Sequence, residues 1–294
     1  MDKYELFVVS VEKGSISAAA ESLNYTQSGV SYAIAALEKE VGYQLLKRQK
    51  SGVSLTPKGE HFYPFFLDLV NQKRRLDQEV DALQNQISGD LRLGTFPSVT
   101  SRWIPSLITD LKALYPDVRY VIHDGDYNEI LSLIIEEKID CGFLPRAVVK
   151  DSLAFYPLLN DRLFALLPPE HPLAKEKAVS LDDFLSYPLI IQSFGDDAVV
   201  QELLSRANGK PNVQCALRDD MSIMKLVEAG LGVAFMGGLF RDICPANVVF
   251  KPFDPPASRQ IGLVVKDPKR LTAVTRAFID FIKSYDLTAI SPTD

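Results

Sequence analysis

The feature that most constrains the fold is a series of three short helical segments with a very tight turn between the second and the third. Apolar residues recur at helical spacing over residues 4–11, and Gly14 ends this first helix. Residues 18–23 form a second helix, and Asn24 and Tyr25 make the turn before a third helix, which Thr26 is placed to cap. Helices joined by so short a connection are typical of a helix-turn-helix unit.

The third helix is followed by a pattern that predicts a small β-hairpin. Val30, Ile34 and Leu37 form one apolar stripe of the helix, which should face the core. After Gly42, residues 45–55 read as two short strands around a tip formed by residues 50–52. The hairpin would be a wing attached to the three helices.

A long helix is predicted next, beginning with Thr56 as cap and Pro57 at the first helical position. Its apolar positions alternate in steps of four and three, which is a heptad pattern typical of a dimerisation helix. Lys73 interrupts this seam and should extend toward solvent or tune the register, and Pro64 should kink the first turns. The seam positions are Phe62, Phe66, Leu69, Lys73, Leu76, Val80, Leu83 and Ile87.

The rest of the chain alternates between strand and helix patterns. Strands are predicted at residues 91–95, 118–123 and 140–144, with helices at 101–114 and 128–137 between them. Similar units recur from residue 189 to residue 285. Such alternation predicts parallel sheets covered by helices on both faces. The return of the chain after residue 265 indicates two lobes, with the C-terminal helix packed back on the first lobe.

Composition excludes several classes of function. Seven basic and seven acidic residues balance over residues 1–60, so binding of nucleic acid must depend on local placement of charge. The three isolated cysteines predict neither a disulfide framework nor a metal site. The three histidines, His61, His123 and His171, have no nucleophile or metal-ligand motif beside them, so we expect no enzyme and no cofactor. With no signal peptide or apolar membrane-spanning run, the expected compartment is the cytoplasm.

The N-terminal motif resembles that of the LysR-type transcriptional regulators. The resemblance covers about sixty residues. Farther along, the segment 227–234 is similar to the family's helix-glycine-strand junction in the second lobe. The chain departs from the common family pattern at Tyr32, Leu46, Ser51 and Gly237. The matching residues are 14–20, 26–31, Ile34, Leu37, Glu38, Val41, Gly42, Leu45, Arg48, Leu55, Thr56 and Gly59.

The resemblance implies an α+β multidomain chain that regulates transcription. Residues 1–59 would form a winged helix-turn-helix, residues 60–88 a linker and dimerisation helix, and residues 89–294 an effector-binding domain. That domain would be a two-lobed α/β unit like the periplasmic binding proteins. Lobe I would span about 91–163 and 267–294, and lobe II about 164–266. The expected partners are double-stranded DNA, a small-molecule effector and a second copy of the chain, as homodimer or homotetramer, with RNA polymerase as a further candidate.

The third helix would read base edges with its N-terminal residues while neighbouring groups hold phosphates. Gln27 has the geometry to pair with adenine, and Tyr32 to contact thymine methyls or a phosphate. Basic residues of the wing would supply the attraction to phosphates. The full predicted set is Ser15, Ser17, Thr26, Gln27, Ser28, Ser31, Tyr32, Lys47, Arg48 and Lys50.

The effector site is expected in a cleft outside the carboxyl ends of the strands. Its predicted residues are Ser98, Thr100, Ser101, Arg102, Phe143, Pro145, Gln192, Ser193, Phe194, Met221 and Gly237. The charge of the ligand stays open. If the acidic pairs at 196–197 and 219–220 point inward, they favour a neutral or cationic ligand. If they only cap helices, then Arg102, Arg146 or Arg218 is available to hold an acid.

Two other classes of protein compete with the regulator. An enzyme is disfavoured by the missing catalytic motifs. A solute-binding protein would share the two-lobed layout, but the helix-turn-helix and the absence of a signal peptide argue against it. We expect ligand binding to change the geometry of the lobes, and the oligomer to transmit this change to the spacing of the DNA-binding heads.

Overall fold

The computed structural model describes residues 2–49, 52–192, 198–205 and 211–292. These residues divide into two compact units. The N-terminal unit comprises residues 1–86 with 136–138, and the C-terminal unit comprises residues 87–135 with 139–294. Within the described ranges, no helix combines the length and the apolarity needed to cross a membrane.

The N-terminal unit contains the predicted winged helix-turn-helix. Each of the helices α2, α3 and α4 begins where a hydroxyl side chain accepts a backbone N–H, at Ser15, Thr26 and Thr56 respectively. The elements are α1 (Lys3–Glu12), α2 (Ile16–Ser22), α3 (Gln27–Val41), β1 (Leu46–Gln49), β2 (Gly52–Leu55) and α4 (Pro57–Leu83).

The core of this unit explains why the three helices hold together. The predicted stripe Val30, Ile34 and Leu37 is fully buried and packs in one cluster with Phe7 and Leu45. The tight turn before α3 is made by a left-handed residue at position 24 with a φ of 56°. The chain therefore reverses within a few residues while the apolar faces of α1, α2 and α3 meet.

The wing is an antiparallel pair in which β1 lies against β2, and Gln49 faces Gly52 in register. Gly52 has a φ of +132°, and a Cβ there would lie 2.2 Å from the Gly14 carbonyl oxygen. Only glycine fits this approach, which docks the wing on the turn after α1. The tip residues Lys50 and Ser51 lie outside the described residues.

Helix α4 runs without interruption through Pro64 and ends at Leu83. The seam prediction was therefore wrong at Ile87, which follows the helix end and packs against the core of the C-terminal unit. Phe66 is also turned inward, against Phe7. Phe62 is partly buried and packs against the same core. The large apolar residues of α4 that are exposed form one stripe, called here the α4 stripe: Phe65, Leu69, Leu76, Val80 and Leu83.

The described residues of the C-terminal unit form two sheets. The strands are β3 (Gly89–Thr95), β4 (Val118–Asp124), β5 (Cys141–Pro145), β6 (Ala154–Leu167), β7 (Leu189–Gln192), β8 (Val213–Leu217), β9 (Ala234–Gly237) and β10 (Val249–Val265). The helices are α5 (Pro97–Arg102), α6 (Ile104–Leu114), α7 (Tyr127–Ile135), α8 (Leu181–Leu185), α9 (Ala198–Leu204), α10 (Asp220–Glu228) and α11 (Ala273–Ser284). The helix predicted at 101–114 is thus two helices, which meet at Trp103.

The larger sheet is mixed, which corrects the expectation of purely parallel sheets. Its order is β4-β3-β5-β10-β6-β9; β3 is parallel to β4 and β5, whereas β10 is antiparallel to both β5 and β6. A strand was predicted at 261–265, which is the end of β10. The first part of β10 and the whole of β6 were missed, because prolines at 157, 252, 255 and 256 argue against strands. Three of these prolines, at 252, 255 and 256, lie where the pairing of β10 with β6 shifts register between Pro252 and Ala257.

Three clusters of buried side chains, among the described residues, divide the C-terminal unit into two lobes. The first lobe packs around Trp103, Phe143 and Phe278, so that α11 lies back on it as predicted. The second lobe packs around Phe184 and Met224. The strands β6 and β10 contribute to both, which makes them the connection between the lobes.

Candidate functional site

The N-terminal end of α3 presents polar and aromatic side chains to solvent. Gln27 and Ser28 are exposed, Tyr32 is 80% exposed, and Ser31 is half-buried. On the adjacent wing strand, Lys47 and Arg48 are both exposed. The structure therefore brings a row of hydrogen-bonding groups and a pair of cations to the surface of the same unit.

The other predicted DNA contacts differ in their surroundings. Ser15 and Thr26 cap helices, and Thr26 Oγ1 accepts from Gly29 N at 3.1 Å and from Ser28 Oγ at 3.2 Å. Ser17 is exposed on α2. Lys50 lies outside the described residues.

A residue with no predicted site role connects α3 to the wing. The carboxylate of Glu38, on α3, accepts from Leu45 N at 2.8 Å and from Leu46 N at 3.1 Å. These amides lie at the start of the wing strand, and both bonds are partly buried, so they fix β1 relative to α3. The sequence contains Glu38 within the family motif but does not indicate which amides donate hydrogen bonds to its carboxylate.

We expect Glu38→Ala to lower the free energy of unfolding of the N-terminal unit by about 1–3 kcal/mol, because two amides lose their acceptor. Hydrogen exchange of the amides at residues 38–49 measures this opening free energy. Glu38→Gln keeps an acceptor oxygen and should cost less. Glu21→Ala, on the exposed surface of α2, serves as the control. If these amides exchange at the same rate in Glu38→Ala and in the unchanged protein, the carboxylate is not needed to fix the wing to α3.

The C-terminal unit contains a cleft between its two lobes. The first lobe contributes the start of α5 and the start of α7, and the second lobe contributes the end of β7 and the start of α10. The described lining residues are Phe96, Pro97, Ser98, Gly125, Asp126, Tyr127, Asn128, Val148, Leu163, Gln192, Val199, Val200, Asp220, Phe235, Met236, Gly237, Phe240 and Arg259.

Arg259, on β10, makes several contacts at the cleft. Its Nε and Nη2 donate to Asp161 at 2.8 and 2.7 Å, and the ion pair is buried, with side chains 10% and 3% exposed. Nη1 donates to Tyr127 Oη at 2.6 Å and Nη2 to Ser98 Oγ at 2.9 Å. The guanidinium carbon lies 5.2 Å from the centre of the Phe96 ring. The arginine thus bridges the first lobe and the connecting strands.

Gly237 makes room for this ion pair. A Cβ at position 237 would lie 2.3 Å from Arg259 Nη2 and 2.8 Å from Asp161 Oδ2. The Asp161 carboxylate also accepts from Leu239 N at 3.0 Å. The glycine that departs from the common family pattern therefore accompanies an arginine and an aspartate that the sequence does not single out. Each lies far from position 237 in the chain, so no local signal connects them.

The acidic pair at the start of α10 divides into two roles. Asp219 caps the helix by accepting from Ser222, and hydrogen bonds from the Ser222 hydroxyl and backbone hold the pKa of Asp219 below its ordinary value. Asp220 is buried, lines the cleft and accepts a hydrogen bond from Gln192 Nε2. One carboxylate therefore faces solvent, and the other faces the cleft.

Of the predicted effector residues, Ser98, Gln192 and Gly237 line this cleft, while six others lie elsewhere. Thr100 bonds to Asp124, and Arg102 to Asp242 and to the Ile290 carbonyl oxygen. Phe143 is in the core of the first lobe, because it packs between Trp103 and Phe278. Pro145 is buried, whereas Ser101 and Met221 are exposed. Ser193 and Phe194 lie outside the described residues.

Comparison with known proteins identifies both units. Residues 1–60 match the model of the bacterial regulatory helix-turn-helix proteins of the lysR family, and residues 84–286 match the LysR substrate binding domain. The chain belongs to the LysR family of transcriptional regulators. It is a DNA-binding regulator with an effector-binding domain, and the fold predicted from its motif is confirmed.

Relatives align over nearly the whole length of this LysR-family chain. It is 26% identical over 282 residues to the uncharacterized HTH-type transcriptional regulator YvbU of Bacillus subtilis, covering 95% of this chain and 96% of the relative. A full-length OxyR variant from Pseudomonas aeruginosa shares the fold with a TM-score of 0.77 and 20% identity, covering 97% and 98% of the two chains. Full-length CbnR in complex with its target DNA has a TM-score of 0.67 and 17% identity, covering 96% and 98%.

Proposed function

We propose that this regulator reads its operator with the exposed end of α3 and holds the adjacent phosphates with the wing. The observation that carries the proposal is the exposure of Gln27, Ser28 and Tyr32 on α3 together with Lys47 and Arg48 on the wing of the same unit. Amide, hydroxyl and aromatic groups suit base edges, whereas lysine and arginine suit phosphates. The same proposal divides the chain into a DNA-binding domain at residues 1–59, a linker and dimerisation helix at 60–88 and an effector-binding domain at 89–294.

We further propose that the effector binds in the cleft between the lobes. The cleft combines aromatic walls with a few converging polar groups, as small-molecule sites do. It also lies beside β6 and β10, the strands that connect the lobes. A ligand that contacts both lobes has a higher affinity for one arrangement of the lobes than for another. It therefore shifts the population toward that arrangement, which would change how the protein binds DNA.

The α4 stripe supports assembly of the chain with a second copy. Leu76 is 63% and Leu83 is 84% exposed, and apolar residues aligned along one helix face favour pairing of helices. We infer a homodimer or homotetramer that works in the cytoplasm, has no catalytic activity and contacts RNA polymerase at its promoters. None of the three histidines is among the described residues that line the cleft.

Footprinting of the full-length protein on its own promoter region tests the proposal for DNA. A discrete, nearly symmetric protected site supports it, and uniform weak binding contradicts it. Titration of candidate effectors into the same assay tests the cleft, because a saturating ligand should change the protected pattern or its extent.

Arg48→Ala should weaken binding to all DNA sequences alike and reduce the slope of log affinity against log salt by about 1, because one phosphate is no longer neutralised. Gln27→Ala should instead relax base preference, by about 1–3 kcal/mol at one position. Fluorescence anisotropy with the footprinted duplex and a scrambled duplex separates the two effects. Arg218→Ala, an exposed arginine of the C-terminal unit, is the control. Reduced specificity in Arg48→Ala with an unchanged salt slope would contradict the assignment to phosphate.

A further inference from the structure

The cationic side chain among the described cleft residues is Arg259, and its charge is compensated within the protein. Asp161 receives two of its N–H groups, and Tyr127 and Ser98 receive others. An anionic ligand would have to share the guanidinium with a buried carboxylate less than 3 Å away. Like charges in such a place oppose each other strongly, so the pair does not form an anion site.

The arginines considered as holders of an acid lie away from the cleft. Arg102 donates to the Ile290 carbonyl oxygen and to Asp242. Arg146 pairs with the exposed Asp151, and Arg218 is exposed. None of the three is among the described lining residues. The alternative in which these arginines bind an acid therefore has no support in the geometry.

Helix N-termini often bind anions, and the described N-termini of α5, α7 and α10 at the cleft offer little room for one. Asp126 caps α7 by accepting from Glu129 N at 2.8 Å, and Asp219 caps α10. In α5, Pro97 has no N–H, and the amides of Val99 and Thr100 donate to the Phe96 carbonyl oxygen. The positive ends of these helices therefore face carboxylates or offer few amide donors to a ligand.

Carboxylates face the cleft from both lobes. Asp126 lines it from the first lobe, and the buried Asp220 lines it from the second. Aromatic rings of Tyr127, Phe235 and Phe240 complete the walls. Carboxylates with aromatic faces recognise ammonium and guanidinium groups by charge and by cation–π attraction. Arg259 over the Phe96 ring shows that this environment already accommodates one guanidinium.

We propose that the effector of this regulator is a small organic cation with an ammonium or guanidinium group, held by Asp220 from the second lobe and Asp126 from the first. A ligand bound to both carboxylates would draw the lobes together. The inference rests on the proposed function, in which the cleft is the effector site.

Calorimetric titration of the full-length protein with length-matched probes tests the charge of the ligand. Putrescine, 1,4-butanediol and succinate share a chain length and differ in charge, and agmatine, choline and glutarate extend the set. We expect at least one cation to bind at least about tenfold more tightly than succinate or glutarate. Asp220→Asn should weaken that binding about tenfold or more, since it removes the charge and retains an acceptor for Gln192. Asp126→Asn should also weaken that binding, because it removes the carboxylate charge of the first lobe. The fold should be kept, since asparagine still caps α7.

Asp280→Asn, on the exposed face of α11, removes the same charge outside the cleft and should leave binding unchanged. Unliganded melting curves confirm that each variant is folded. Three results would overturn the proposal. A dicarboxylate binds more tightly than every cation, Asp220→Asn binds cations as tightly as the unchanged protein, or none of the cations binds. If a dicarboxylate binds and alters the footprint, the effector site stands and only the cationic class fails. If cations bind but leave the footprint unchanged, the charge class stands and the effector function fails.

Discussion

Asp161→Asn is expected to lower the free energy of unfolding of the C-terminal unit by about 3–5 kcal/mol, because it leaves the buried Arg259 guanidinium without its counter-charge. The carboxylate is 3% exposed, receives two guanidinium N–H groups and accepts from Leu239 N at 3.0 Å. An asparagine of the same shape provides one acceptor oxygen and no charge. Urea unfolding followed by tryptophan fluorescence measures the change, since the single tryptophan, Trp103, is fully buried in this unit.

The control for this variant is Asp151→Asn. It breaks the Arg146–Asp151 pair, whose carboxylate is 97% exposed, and should leave the unfolding midpoint unchanged. The double variant Asp161→Leu with Arg259→Met should recover most of the stability, because it removes both buried charges together. If Asp161→Asn is no more destabilised than Asp151→Asn, the ion pair does not stabilise the lobes in this way.

Leu76→Glu is expected to dissociate the oligomer and to reduce operator affinity by about 100-fold or more, because one head then binds without the other. The substitution places a charge in the middle of the α4 stripe, where pairing with a second copy would bury it. In the single chain Leu76 is 63% exposed, so the fold of the chain itself should be unaffected. Light scattering measures the mass of the assembly, and anisotropy with the footprinted duplex measures affinity.

Gln214→Glu is the control. It adds the same charge at an exposed position of β8, outside the α4 stripe, and removes no apolar side chain. Its mass and its affinity should remain those of the unchanged protein. An unchanged mass in Leu76→Glu would mean that the stripe is not the assembly surface.

The sequence alone determined the features that depend on neighbours in the chain. Thr26 and Thr56 are predictable as caps because a hydroxyl reaches an amide only three positions ahead. The buried stripe of α3 is predictable because helical periodicity alone sets which residues share a face. The heptad pattern of α4 extends one step beyond the helix, since the chain leaves the helix after Leu83 and before Ile87.

Only the tertiary structure decided the features that join distant parts of the chain. Asp161 and Arg259 lie 98 positions apart, and no periodicity or motif relates them. Likewise, prolines argued against β6 and against the first part of β10, and the antiparallel pairing of these strands is visible only in the assembled sheet. The sequence indicates Ser98 and Gln192 for the cleft, because each lies near the end of a strand. It does not decide whether Asp220 or an arginine faces them, because that depends on which side chains a fold buries together and how their charges are compensated.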